Sequence, residues 1–339
     1  MKRIAIVIVF MLAICCGFMQ EKTIGFVIPK GWPKPIYQID KKSFNKGAIT
    51  LGRQLFYDPV LSADSSISCA SCHSPYNAFT HVDHALSHGI HDSIGNRNSP
   101  ALMNLAWHNS YMWDGAITNL DVQALAPISH PKEMGENMPH VIQKLKRNKI
   151  YPALFYAAYL DSSINQQKSL QALSQFLLCL ISANSKYDSV MNQRAKFTSQ
   201  EEHGYALFRQ NCASCHAEPL FSNYQFENNG LQLDTNLKDY GRMLVTKNPK
   251  DSLLFKVPTL RNIAYTSPYM HDGRFKKLSQ VINHYSSGIQ KSHTLSKHFI
   301  KGIQLSKNDQ VDLLAFLLTL SDRTFLFNES FHYPPKNRH

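Results

Sequence analysis

The 339-residue chain is nearly devoid of long apolar runs. Its one long unbroken hydrophobic run falls within the first ~15 residues and is too short for a ~30 Å bilayer core, which excludes a multi-span membrane protein. Blocks of one charge are missing too. Lys and Arg number 36 against 24 Asp and Glu, a net charge of +12, yet they are scattered singly and form no basic stripe of the kind nucleic acid selects. The excess suits solubility or a surface that meets an acidic redox partner. Strand signals are also sparse, whereas helical periodicity is clear over residues 170–183 and 311–320. With 43% hydrophobic and 18% charged residues the chain is neither disordered nor collagen-like, and the predicted fold is mainly α, with one or two domains.

The start reads as a secretory signal over residues 1–18: Lys2 and Arg3 form the charged end, and Ile4 to Ile14 the apolar region. Cys15 and Cys16 close that region in a context that partly resembles a lipoprotein cleavage site, so a lipid anchor and ordinary cleavage nearby are both open. Either outcome predicts a periplasmic protein.

Cysteine is scarce, at seven residues, and four of the seven fall in two C-x-x-C-H windows. Cys69 and Cys72 precede His73, and Cys212 and Cys215 precede His216. In an exported chain this spacing serves covalent haem: two thiols one helical turn apart meet the two vinyl groups, and the next histidine faces the iron. Zinc is the competing reading, but neither motif has a fourth ligand at finger spacing. Two haem c groups are therefore expected, with His73 and His216 as proximal ligands. Cys179, among apolar neighbours in the 170–183 helix, reads as a small buried hydrophobe.

The chain is also built twice. PALMNLAWHNSYMWDGAITNL, from Pro100 to Leu120, aligns without a gap on PTLRNIAYTSPYMHDGRFKKL, from Pro258 to Leu278. A shorter echo, G-x-x-L-F, precedes each haem motif at Gly52 and Gly204. The predicted organisation is two cytochrome c-like domains, 40–190 and 196–325, each carrying one haem, with the junction near 186–198. Thr198 with Glu201, and Ser306 with Asp309, read as helix N-terminal caps.

The duplication allows the two haem faces to be compared. Ten and twenty residues after Trp113 the first copy has Gln123 and Glu133; at the same offsets from His271 the second has Val281 and Lys291. A carboxylate beside an open iron can take a proton from the inner oxygen of bound peroxide and return it to the outer one. The plain alternative is that Glu133 is a surface residue.

These features resemble the bacterial dihaem cytochrome c peroxidase family, including its MauG-type members that oxidise a partner protein. The resemblance runs from about Gly52 to Leu320 and rests on both C-x-x-C-H motifs, R-N-S-P at Arg97 to Pro100, WDG at Trp113, the Gln and Glu that follow, and MHDG at Met270. It implies a peroxidatic first haem and an electron-transferring second one. Glu133 would be the acid/base, Gln123 the pocket amide, and Trp113 the aromatic residue between the haems. A calcium ion between the domains would fall on the Asn98 side chain and the carbonyls of Thr266 and Pro268, oxygen ligands that suit a hard cation. His88, one of four histidines with His81, His84 and His91, matches the residue that blocks the resting first iron in some members; an exposed polar loop is the alternative. Fourteen residues after His271 the typical methionine ligand of the second iron is replaced by Tyr285, as in MauG-type enzymes. A phenolate favours ferric iron. Met270, Met243 and His284 are the competing ligands.

The leading expectation is a peroxidase that reduces hydrogen peroxide to water with electrons from a small cytochrome or copper protein. A homodimer is a candidate assembly, and no nucleic acid is involved. The first rival is a MauG-type oxidase acting on a partner protein, supported by Tyr285. The second is a dihaem electron carrier without catalysis.

Overall fold

The computed structural model describes residues 24–40 and 44–334; the signal region and Cys15 and Cys16 lie outside them. None of the described helices is long and apolar enough to cross a membrane. The principal helices are α1 (Lys46–Tyr57), α2 (Met138–Arg147), α3 (Tyr151–Tyr159), α4 (Gln166–Leu178), α5 (Ser199–Asn211), α6 (Leu278–Asn283) and α7 (Lys307–Leu318). Among the described residues the only sheet is a two-residue antiparallel ladder, Phe226–Glu227 with Phe255–Lys256. The mainly α expectation is met.

Capping explains where the helices begin. Thr198 and Glu201 bond reciprocally at the start of α5, and Ser306 and Asp309 do so at α7. The two periodic stretches are displaced from their sequence reading. α4 begins at its Asn165 cap and ends at Leu178, because the following residues turn to receive Asn104: its N–H donates to the Leu180 carbonyl at 2.8 Å, and its Oδ1 accepts from the Ser182 N–H at 2.9 Å. Cys179 is buried there, 2% exposed, as expected.

Two cores result. The first gathers α1 to α4 around Leu51, Leu55, Phe56, Phe155 and Phe176, and takes in Phe325, Leu326 and Phe331 from the end of the chain. The second packs Phe208 of α5 against Phe316 of α7, with Phe221 and Tyr187. Each contains a close helix crossing marked by the glycine of G-x-x-L-F. A Cβ at Gly52 would sit 1.9 Å from the Ala172 carbonyl oxygen, and one at Gly204 would sit 1.9 Å from that of Asp312. Only glycine allows backbones this near.

The long repeat is a structural repeat as well. Asn104 and Asn262 both take the left-handed conformation, φ +57°, and each N–H donates to the chain leaving the last helix of its half, at Leu180 and Leu320. Tyr111 and Tyr269 then donate backbone bonds to Ile117 and Phe275, both at 2.7 Å, closing the same tight loop around W/H-D-G.

Candidate active site

Each C-x-x-C-H motif sits on one tight turn. The His73 N–H donates to the Cys69 carbonyl and the His216 N–H to the Cys212 carbonyl, both at 2.9 Å, so each histidine closes the turn that begins at the first thiol. All four motif thiols are free of disulfides. His73 Nδ1 lies 2.8 Å from the Phe79 carbonyl oxygen; His216 Nδ1 lies 3.2 Å from that of Phe221 and 3.1 Å from that of Pro258. Burial pushes both imidazoles down to about 4, so they are neutral, donate through Nδ1, and leave the Nε2 lone pair for a metal. Paired free thiols with an oriented neutral imidazole fit haem c. Among the described residues the only other trio of ligand atoms is Cys215, Glu227 and His298, which omits Cys212 and His216 and so does not revive zinc at the motif.

Around the first motif, Glu133 is half-buried, not a surface residue. Burial raises its pKa, and its charge acts on the Cys72 thiol, which places the carboxyl beside the haem attachment. Its segment is clasped by the histidine loop: Ile90 N–H donates to the Glu133 carbonyl at 2.9 Å, and a Cβ at Gly89 would come within 2.1 Å of the Lys132 oxygen. The same loop brings the His88 carbonyl to 3.3 Å from Cys72 Sγ. Three of the four histidines converge: His88 stacks on His84 at 4.2 Å between ring centroids, and His81 lies 5.3 Å from His84. His91 turns away toward Asp64. Gln123 directs Nε2 at Met112 Sδ, 3.6 Å away.

Trp113 and Asn98 stitch the halves together. Asn98 N–H donates to the His271 carbonyl at 2.7 Å, Trp113 Nε1 to the Asn98 carbonyl at 2.8 Å, and Lys256 N–H to the Trp113 carbonyl at 2.7 Å. The Asn98 side-chain amide donates to the Ala85 carbonyl at 3.0 Å. Sequence reasoning missed the charged clamp here. Arg97 bonds Asp239 through Nε and Nη2, at 2.6 and 2.9 Å, and Asp114 through Nη1 at 2.6 Å. Against the opposing effect of burial, Arg97 holds Asp239 below the usual carboxylate range. Arg97 and Asp114 were visible in R-N-S-P and WDG; Asp239 lies outside the repeat, and nothing in the sequence pointed to it.

At the second motif Tyr285 lies in a single π turn, His284–Gly288, after α6, a local irregularity frequent at functional sites. Burial pushes its phenol up to about 12, and the Cys212 and Cys215 thiols act on it. Asn229, another residue the sequence did not flag, has its Nδ2 3.4 Å from the Tyr285 hydroxyl and 3.5 Å from Met270 Sδ. His284 directs Nε2 at the Asn229 carbonyl at 3.0 Å, and Met243 sits on a short helix with no buried residue. Tyr285 and Met270 thus meet at one amide while the other two alternatives point elsewhere.

Two cytochrome c-like halves with one such site each define a c-type protein with two haems. A family model for di-haem cytochrome c peroxidase matches residues 46–196, and one for cytochrome c matches 201–321. The methylamine utilization protein MauG of Methylophilus methylotrophus is 35% identical over 80% of this chain and 81% of its own length. Cytochrome c peroxidase Ccp of Escherichia coli is 32% identical over 86% of this chain and 62% of its own. A crystal structure of a MauG-like protein associated with microbial copper homeostasis superposes with a TM-score of 0.84, at 30% identity, covering 91% of this chain and 98% of that one. The chain belongs to the dihaem cytochrome c peroxidase family that includes MauG.

Proposed function

We propose that the protein reduces hydrogen peroxide at the His73 site and draws the two electrons, through the His216 site, from an external redox protein in the periplasm. The reaction balances as peroxide plus two electrons and two protons giving two waters. The observation that carries this reading is Glu133: a half-buried carboxyl with a raised pKa, acting on Cys72, on a segment clasped by the histidine loop. When bound, the haem supplies an iron able to accept the peroxide oxygen and exchange electrons. Glu133 takes a proton from peroxide on one carboxylate oxygen and returns it to the departing oxygen. Gln123, released from Met112, donates its amide to the bound oxygens. His88 is the residue that closes the site at rest, and Trp113 lies on the electron path between the halves. Asn98 Oδ1 with the Thr266 and Pro268 carbonyls holds calcium at the seam.

A small cytochrome or copper protein is the reductant in this reading. Tyr285 favours a second one, in which side chains of a partner protein supply the electrons as in a MauG-type oxidase, because a phenolate ligand lowers the potential of the second iron. Rapid mixing of the ferric holoprotein with peroxide, followed by a reduced cytochrome, tests both. Spectral change and fast discharge by the cytochrome support the small donor. A change that persists until a partner protein is added supports the second. No spectral change leaves an electron carrier and refutes peroxide reduction.

A further inference from the structure

The extended segment 24–40 is tied across the molecule by backbone bonds from Ile36 and Tyr37 to the Ala106 carbonyl, both 2.9 Å, and by Trp107 Nε1 to the Pro33 carbonyl at 2.8 Å. This sets Trp32 edge-on against Trp107, 5.0 Å between ring centroids. Trp32 also lines an open groove of about 360 Å³ with Pro29, Lys30, Ala183, Asp188, Asn192 and Arg194. Behind Trp32 lies Arg261, fully buried, its guanidinium 4.7 Å from the Trp32 ring on one side and 5.5 Å from the Phe221 ring on the other. Phe221 is the residue whose carbonyl accepts from His216 Nδ1. Contacts therefore run unbroken from the groove to the proximal imidazole of the second site.

The charges in the groove are unequal. Asp188 is buried and bidentately paired with Arg261, at 2.8 and 2.9 Å, so its charge is met inside the protein. Lys30 and Arg194 are exposed at the rim. The groove thus offers two cations and an aromatic floor, which complements an acidic loop.

We propose that this groove is the port through which the redox partner delivers electrons, seating an acidic loop between Lys30 and Arg194 with Trp32 as the contact for electron entry. The inference rests on the reading that an external redox protein supplies the His216 site. The step is one electron from the reduced partner to the second iron; no bond is made or broken, and peroxide is the final oxidant.

Flash photolysis of the ferric holoprotein tests it without peroxide, so failure of the peroxide reading leaves the result interpretable. The probes are the semiquinones of flavin mononucleotide, which is anionic, and lumiflavin, which is neutral, with haem reduction read by absorbance. At low salt the double variant Lys30→Glu/Arg194→Glu should slow reduction by the anionic flavin about fivefold or more, with the difference closing at high salt and lumiflavin unaffected. Trp32→Leu should slow both flavins at least about threefold, and Trp32→Phe should restore most of the rate. Lys301→Glu, an exposed charge elsewhere, is the control. Unchanged anionic-flavin rates in the double variant, or equal slowing by Lys301→Glu, would overturn the port.

Discussion

Replacing Gly204 by alanine tests whether the duplicated glycine holds α5 against α7. The added Cβ would lie 1.9 Å from the Asp312 carbonyl oxygen and 2.9 Å from the Phe316 Cβ, whereas ordinary contact begins at 3.4 Å. The helices must therefore part by about 1.5 Å at the crossing, or α5 must shift along its axis by a similar amount. Either motion loosens Phe208 and Phe316, both 0% exposed with ring centroids 5.0 Å apart. A gap of ~1 Å already forfeits up to half of a dispersion well. Overpacking of this kind costs about 1–3 kcal/mol, with the upper end apt here because the obstacle is backbone. Alanine's better helix propensity returns roughly 1 kcal/mol. The net expectation is a loss of about 2 kcal/mol, or roughly 6–12 °C in the melting of the second half. Covalently held haem stays attached through unfolding, so its absorption and the far-ultraviolet circular dichroism report melting in one sample. Gly52→Ala should behave alike against Ala172, and Gly25→Ala, with no atom within 4 Å of the new Cβ, should be neutral. A Gly204→Ala protein as stable as the parent would refute the close-crossing argument.

Glu133→Gln should lower the second-order rate with peroxide by about 10²–10⁴, measured by stopped-flow absorbance. In the parent that rate should rise with pH through a midpoint above the ordinary 4.5, since burial raises the pKa and the ionised form is the proton acceptor. The substitution should abolish that rise. Asn98→Ala should weaken calcium binding at least about tenfold by isothermal titration, with chelator-treated parent protein showing the same slowed electron exchange between the irons. Tyr285→Met should raise the midpoint potential of the second iron in a spectroelectrochemical titration and quicken discharge by cytochrome donors. An unshifted potential would point to Met270 as the ligand already in place.

Much of the architecture could be read from residues alone because it is local or duplicated. The C-x-x-C-H turns, the capped starts of α5 and α7 and the shared Asn104 and Asn262 loops depend on neighbours a few residues away, or on a second copy that exposes them by comparison. Helix ends were less legible. α4 stops at Leu178 because a loop some 75 residues earlier needs the carbonyl of Leu180 and the amide of Ser182, a demand absent from any local pattern. The same reasoning covers Asp239, Asn229 and the Trp32 and Arg261 pair: each gains meaning only from a partner far along the chain. The histidine loop was legible as a cluster of residue type, but its division into a stacked group and an outward His91 depends on how Gly89 lets the loop press against Lys132.

The seam through Asn98, Trp113 and Lys256 is joined mostly by main-chain atoms: three carbonyl oxygens accept, two donors are peptide N–H groups, and only the indole comes from a side chain. Point mutation cannot delete a carbonyl, and only proline removes a peptide N–H. Substitutions on the surface of either half therefore leave these three joints, and with them the separation of the two C-x-x-C-H sites, largely in place.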